Sequence, residues 1–328
     1  CPYEQTLSRA QRMGDDEVVL CRSGWESGHR EVREVGKLFF VRRELLLGIL
    51  YLNLATLFWG STFVLVKDSL QTLGPGQVNF VRFAIATLVF VPFLFRRDAR
   101  LWWAGLELGA VLFLAYLTQT VGLQYTTASR SAFITTLYVV ALPMLLGVLG
   151  HRLGWPIWLA AGLAIGGVGL LSYDGSPPNQ GDLWTLGTAL AYAVYIWRLE
   201  LFARRFPTLP LTGLQMFTVA LLSLAWMLWE EPRWPTHHFP YFSLLYLGLV
   251  ASALCIWLQA LGQRWVPAPQ AAVIFTLEPV YAAAFAYVLL GERLGLQGWV
   301  GASLIVAATL ISQLRSPKPY PEQVTPEV

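Results

Sequence analysis

The chain has 328 residues, 55% of them hydrophobic and only 13% charged, with a net charge of +3. An ordinary soluble domain carries about 25% charged residues, so this composition points to a chain buried in hydrocarbon. The small positive charge is no signal for nucleic acid, because the arginines sit at helix ends and in the tail rather than on one face. Lysine occurs only as Lys37, Lys67 and Lys318, which excludes a phosphate-binding loop closing on Gly-Lys-Ser/Thr.

Taken in order, residues 1–44 are polar and mixed in charge, with no apolar core of a cleavable signal peptide. They read as a disordered or artefactual extension. A lipidated Cys1 would place this end outside the cell, against the charge pattern described below. Apolar runs near the ~20 residues needed to cross hydrocarbon then follow. They are Leu45–Val66, Gly76–Phe95, Trp103–Gln124, Thr127–Leu149 and Trp155–Tyr173, then Gly181–Ala203, Leu211–Trp229, Tyr241–Trp265, Pro267–Leu290 and Leu296–Leu314. Residues 174–180 (Asp-Gly-Ser-Pro-Pro-Asn-Gln), rich in turn formers, read as a midpoint linker, and 315–328 as a tail. Arginine and lysine gather on one side of these spans: Arg30 to Arg43, Arg96, Arg97, Arg100, Arg152, Arg204, Arg205, Arg264, Arg315 and Lys318. The other side holds Lys67, Arg130, Arg233 and Arg293, so both termini are expected in the cytoplasm.

The two halves match. An offset of 140 pairs Gln119 with Gln259, Gly122 with Gly262, Ala128 with Ala268, Thr136-Leu137 with Thr276-Leu277, and Val148-Leu149 with Val288-Leu289. One gap later, Gly150, Arg152-Leu153-Gly154 and Trp158 pair with Gly291, Arg293-Leu294-Gly295 and Trp299. Five spans per half is an odd number, so the second half (181–314) must enter the membrane upside down relative to the first (45–173). The expected fold is an all-α integral membrane protein of ten transmembrane helices, built as two inverted-topology five-helix repeats. That is the build of secondary transporters, in which one half rocks against the other.

Trp59-Gly60-Ser61, Val81-Arg82-Phe83, Leu277-Glu278-Pro279 and Leu290-Gly291-Glu292-Arg293 together resemble the EamA-type family of the drug/metabolite transporter superfamily. The resemblance covers Leu45 to Leu314. It implies a ten-helix, two-repeat carrier of a bacterial inner membrane, often an exporter of amino acids or other small metabolites, and fixes no substrate.

Glu278 lies near the middle of its span, opposite Tyr138 in the repeat. A carboxylate there must be neutralised by a proton or a partner, so it either handles protons or substrate, or bonds backbone freed by Pro279. Pro143 and Pro279 are expected to interrupt their helices, since proline lacks an N–H and crowds the preceding turn. Arg82 either attracts an anionic substrate group or snorkels to the headgroups. Gln119 and Gln259, with Ser131, Thr135 and Tyr138, either line a wet interior or join helices. Trp59, Phe63, Tyr192, Tyr195, Trp257 and Tyr281 are candidates for an aromatic-lined cavity; Trp59 and Tyr192 align when the first and sixth spans are superposed. The expected substrate cavity is thus Trp59, Arg82, Gln119, Tyr138, Tyr192, Gln259 and Glu278, with Glu278 as the proton-coupling candidate.

Gly105-x-x-x-Gly109 and Gly162-x-x-x-Gly166 permit close helix approach, within a monomer or in a homodimer. Glu107, Arg198 and Glu200 are expected at the membrane interface. No metal or cofactor is expected: Cys1, Cys21 and Cys255 lack ligand spacing, and His237-His238 lack further ligands. An intramembrane enzyme would need a paired aspartate, a Ser/His set or metal ligands within spans, and all four histidines fall outside them. A nucleotide-sugar or phosphorylated-metabolite exchanger would want several cavity cations, and only Arg82 lies well inside a span. A membrane receptor is the alternative outside transport.

Overall fold

The computed structural model describes residues 43–94, 98–172, 177–230, 234, 239–281, 284 and 295–314. The chain divides into two compact units, Cys1–Leu47 and Gly48–Val328. In the first, the described residues 43–47 are helical. Residues 1–42 and the His237-His238 pair lie outside the described residues. So do Val288 to Leu294, the last repeat partners and the final family-like motif.

The larger unit is helical throughout its described length. Its helices are α1 (48–59), α2 (Thr62–Ser69), α3 (Pro75–Phe90), α4 (Ala99–Tyr125), α5 (Ala128–Thr135) and α6 (Tyr138–Val148). They continue with α7 (Trp155–Ser172), α8 (Gln180–Arg205), α9 (Thr208–Trp229), α10 (Tyr241–Gly262), α11 (Ala268–Phe275) and α12 (Leu296–Leu314). Among the described residues, six helical runs are long and apolar enough to cross a membrane, and Trp155–Leu170 and Leu296–Ser312 are shorter apolar helices. Large apolar side chains such as Leu88, Val148, Leu183 and Leu310 point outward. In water such a surface would be an aggregation hazard; against lipid tails it costs nothing.

Local chemistry sets the helix starts. Asp98 accepts hydrogen bonds from the N–H groups of Arg100 (2.9 Å) and Leu101 (3.3 Å), capping α4. Asn179 and Asp182 cap α8 reciprocally, at 3.1 and 2.8 Å. Gly150, at φ +84°, turns the chain after α6 in the left-handed region that glycine alone enters cheaply.

Glycines let helices approach closely in the interior. A Cβ on Gly105 would meet Leu214 Cβ at 2.3 Å, and one on Gly109 would meet Thr218 Cβ at 2.4 Å, so this pair seats α4 on α9. Gly162 and Gly166 differ: nothing lies within 4 Å of where their Cβ atoms would be.

Three breaks interrupt the helices at Gly60–Ser61, Thr136–Leu137 and Thr276–Leu277. In each, hydroxyls add a bond to a carbonyl of the preceding turn: Ser61 bonds Phe58 O (2.9 Å), Thr62 bonds Trp59 O (2.9 Å), Thr136 bonds Ala132 O (2.8 Å) and Thr276 bonds Val273 O (2.7 Å). The expected interruption at Pro143 is corrected here, because Pro143 sits inside the continuous helix α6. The break lies at Thr136–Leu137, where Leu137 N–H reaches Ile134 O and Val139 N–H reaches Thr136 O in tight three-residue turns. Its repeat counterpart, Thr276–Leu277, lies just ahead of Pro279. That proline falls in the first turn of the segment resuming at residue 278, where a missing N–H costs little. The prolines do not align across the halves, and the breaks do. The break therefore belongs to the Thr-Leu position of the repeat, and proline accommodates it in one copy only.

Candidate functional site

The breaks lie at one cavity lined by Trp59, Thr62, Phe63, Arg82, Tyr116, Gln119, Thr135, Tyr138, Tyr192, Ile196, Gln259, Phe275 and Glu278. All seven residues expected from the sequence lie on its wall. The breaks explain much of this placement. Trp59 and Thr62 flank the first, Thr135 and Tyr138 the second, Phe275 and Glu278 the third.

Repeat-related positions line this space together. Besides Gln119/Gln259 and Tyr138/Glu278, the offset of 140 pairs Thr135 with Phe275. The offset of 133 that aligns Trp59 with Tyr192 also aligns Phe63 with Ile196. At two of these pairs the chemistry breaks the symmetry. One side presents the hydroxyl-bearing Thr135 and Tyr138; the other presents Phe275 and the carboxyl group of Glu278.

Arg82 is only 2% exposed. Its Nε donates to Ser252 Oγ at 2.6 Å, one terminal nitrogen reaches Tyr116 Oη at 3.5 Å, and its guanidinium lies 4.5 Å from the Tyr116 ring centroid. Snorkelling to the headgroups is thereby excluded: the cation is turned into the protein and held by an aromatic face. It forms no ion pair with Glu278 among the described residues. The cavity thus holds one cation and one carboxyl group that have not neutralised each other.

The remaining walls are aromatic. Trp59 donates its Nε1–H to Ala251 O (2.8 Å) and meets Phe275 edge-on at 5.5 Å between centroids. Tyr192 lies edge-on to both Tyr116 (6.0 Å) and Tyr138 (6.4 Å). Gln259 donates to Gln263 Oε1 at 3.0 Å. The Thr135 hydroxyl is buried without a hydrogen-bond partner among the described residues, an expensive arrangement unless something else satisfies it.

Several expected residues serve elsewhere. Tyr195 is fully buried and donates to Gln215 (2.8 Å), Tyr281 donates to Asn53 (3.0 Å), and Trp257 is absent from the cavity wall. Ser131 sits 3.5 Å from Thr185, beside the cavity rather than on it. Glu107 and Arg198 form an ion pair joining α4 to α8, with both side chains about a quarter exposed. Glu200 is buried near the end of α8, at 1% exposed; it accepts the Ala268 N–H at 2.7 Å and pairs with Arg204 at 2.7 Å. Sequence reasoning missed Thr62, Tyr116, Ile196 and Phe275. The repeat offsets would have found Ile196 and Phe275, and Tyr116 lies one helical turn before Gln119. No signal marked Thr62.

A membrane-embedded cavity between repeat-related helices narrows the comparison with known proteins. The family model of the EamA-like transporter family matches residues 46–173 and again 179–313. The chain belongs to this family. As an EamA-like protein it is an integral membrane protein with two repeats, and its partners are the bilayer and a small solute. A relative in Archaeoglobus fulgidus, described as an uncharacterized transporter, is 33% identical over 272 residues, covering 80% of this chain and 85% of that protein. The uncharacterized transporter YwfM of Bacillus subtilis is 26% identical over 280 residues, covering 80% and 92%. A chain solved by crystallography superposes with a TM-score of 0.68 at 19% identity, covering 81% of this chain and 96% of that one. At that identity the likeness shows the fold alone.

Proposed function

We propose that this EamA-like protein is a secondary carrier that exports small zwitterionic metabolites such as amino acids. It works by alternating access between two inverted five-span repeats, residues 45–173 and 181–314, with both termini in the cytoplasm of a bacterial cell. The observation that carries this reading is the cavity itself: repeat-related pairs from both halves wall it, and it holds Arg82 and Glu278 unneutralised by each other. A solute bearing one carboxylate and one ammonium supplies a partner for each. Its aromatic lining with a few polar handles is the usual composition of small-molecule sites. Glu278 is the group that exchanges its proton or its bound ammonium as access alternates.

The test compares metabolites released by cells producing the intact chain, the Glu278→Gln protein, or an empty vector. The intact chain is expected to raise a small set of external amino acids, and the Glu278→Gln protein is not. Release equal to the empty vector, with the protein confirmed in the membrane, would overturn export.

A further inference from the structure

Close approaches at the two ends of the bundle also follow the repeat, but their chemistry differs. A Cβ on Gly181 would meet Gly122 O at 2.7 Å, and one on Gly48 would meet Gly262 O at 3.0 Å. The offsets of 133 and 140 relate these pairs, so α8 closes on α4 at one end as α1 closes on α10 at the other. Around Gly181 the closure is ionic. Arg130 grips Asp182 through Nε (2.8 Å) and a terminal nitrogen (2.7 Å), with both side chains 11% exposed. The Thr126 hydroxyl donates to the same carboxylate at 3.3 Å, and Ser131 lies 3.5 Å from Thr185. Lys67 caps the end of α4 by donating to the Leu123 and Thr126 carbonyls. Around Gly48 the counterparts of Asp182 and Arg130 are Ile49 and Gln270, which cannot form an ion pair. There Gly48 lies against Val266 and Trp265, and Tyr51 lies 6.3 Å from Trp265 between ring centroids.

We infer that the Arg130–Asp182 pair is a one-sided gate. It holds the carrier shut where α5 meets α8, on the side away from the termini; the repeat-related place on the opposite face cannot form this ion pair, and there glycine and apolar contacts are joined by Glu200 accepting the Ala268 N–H at 2.7 Å. The inference rests on the carrier reading above. Outward release requires this pair to part. A buried pair suits the task, because removing one partner strands a charge in the interior and strongly disfavours the closed state.

The test uses two reporters in a chain whose Cys1, Cys21 and Cys255 are replaced by Ala. Ser131→Cys lies beneath the ion pair, and Ala271→Cys occupies its repeat counterpart; both positions are fully buried. Each is labelled with a membrane-impermeant maleimide in right-side-out and in inverted vesicles. Asp182→Asn is expected to speed labelling of Ser131→Cys roughly tenfold from outside only, and not to speed that of Ala271→Cys from inside. Arg130→Gln should act likewise, and the exchanged pair Arg130→Asp with Asp182→Arg should return labelling to the slow rate. Unchanged labelling in folded variants, or both reporters accelerating from both faces, would overturn the gate. Solute movement in the same vesicles separates the two readings. Intact movement without sided labelling removes only the gate; sided labelling without movement removes the carrier and leaves a conformational latch.

Discussion

Replacing Arg82 by glutamine removes the cavity cation and leaves Ser252 without its charged partner. Hydrogen bonds to charged groups contribute about 1.5–3 kcal/mol, so loss of the contact with a solute carboxylate should raise KM roughly ten- to hundredfold. Solutes with an amine and no carboxylate should be spared. Uptake measured for matched pairs of amino acids and their decarboxylated amines checks this; an equal loss for both would assign Arg82 to structure alone. The aromatic face of Tyr116, 4.5 Å from the guanidinium, makes the intact site pre-organised, since the cation is already fixed before solute arrives. Arg82 also shows what sequence conveys at this scale. Its type and depth in a span signalled either a handle or a snorkel, and only the fold, which turns it toward Ser252 on α10, separates the two.

Among the helices, the two glycine pairs make opposite predictions. Gly109→Val would drive a side chain into Thr218 on α9, where a Cβ alone already comes within 2.4 Å. Overpacking of this kind costs about 1–3 kcal/mol, read as a lowered Tm in detergent. Gly162→Val, with nothing within 4 Å of its Cβ position, should leave Tm near that of the unaltered protein. If both fall equally, helix propensity rather than α4–α9 packing sets the effect. The same Gly-x-x-x-Gly spacing thus has different surroundings on α4 and α7, and spacing alone could not tell them apart. The helix breaks teach a related lesson. Pro143 and Pro279 suggested interruptions, but the breaks fall at Thr136–Leu137 and Thr276–Leu277, where each threonine bonds a carbonyl of the preceding turn through both its N–H and its hydroxyl. Proline is conspicuous in a sequence; a threonine bonding its own helix is not.

At the scale of the molecule, the internal repeat made the cavity legible. Matched polar and aromatic positions in the two halves led to Trp59, Gln119, Tyr138, Tyr192, Gln259 and Glu278, all lining one cavity in the structure. The repeat also exposes what is not symmetric: Thr135 and Tyr138 opposite Phe275 and Glu278, and Arg130–Asp182 opposite Gln270 and Ile49. Identical ends would close with equal strength, so only such departures can make the two ends differ. The buried places of Glu200 and Tyr195 were illegible, since both are set by contacts between distant helices that no local pattern encodes.

The most direct test of the carrier is counterflow in liposomes containing only the purified protein. Vesicles loaded with unlabelled amino acid should take up the labelled compound transiently above its equilibrium level. That uptake should saturate with concentration and disappear in the Glu278→Gln protein. Uptake no greater than in protein-free liposomes, across amino acids of every side-chain class, would contradict the account.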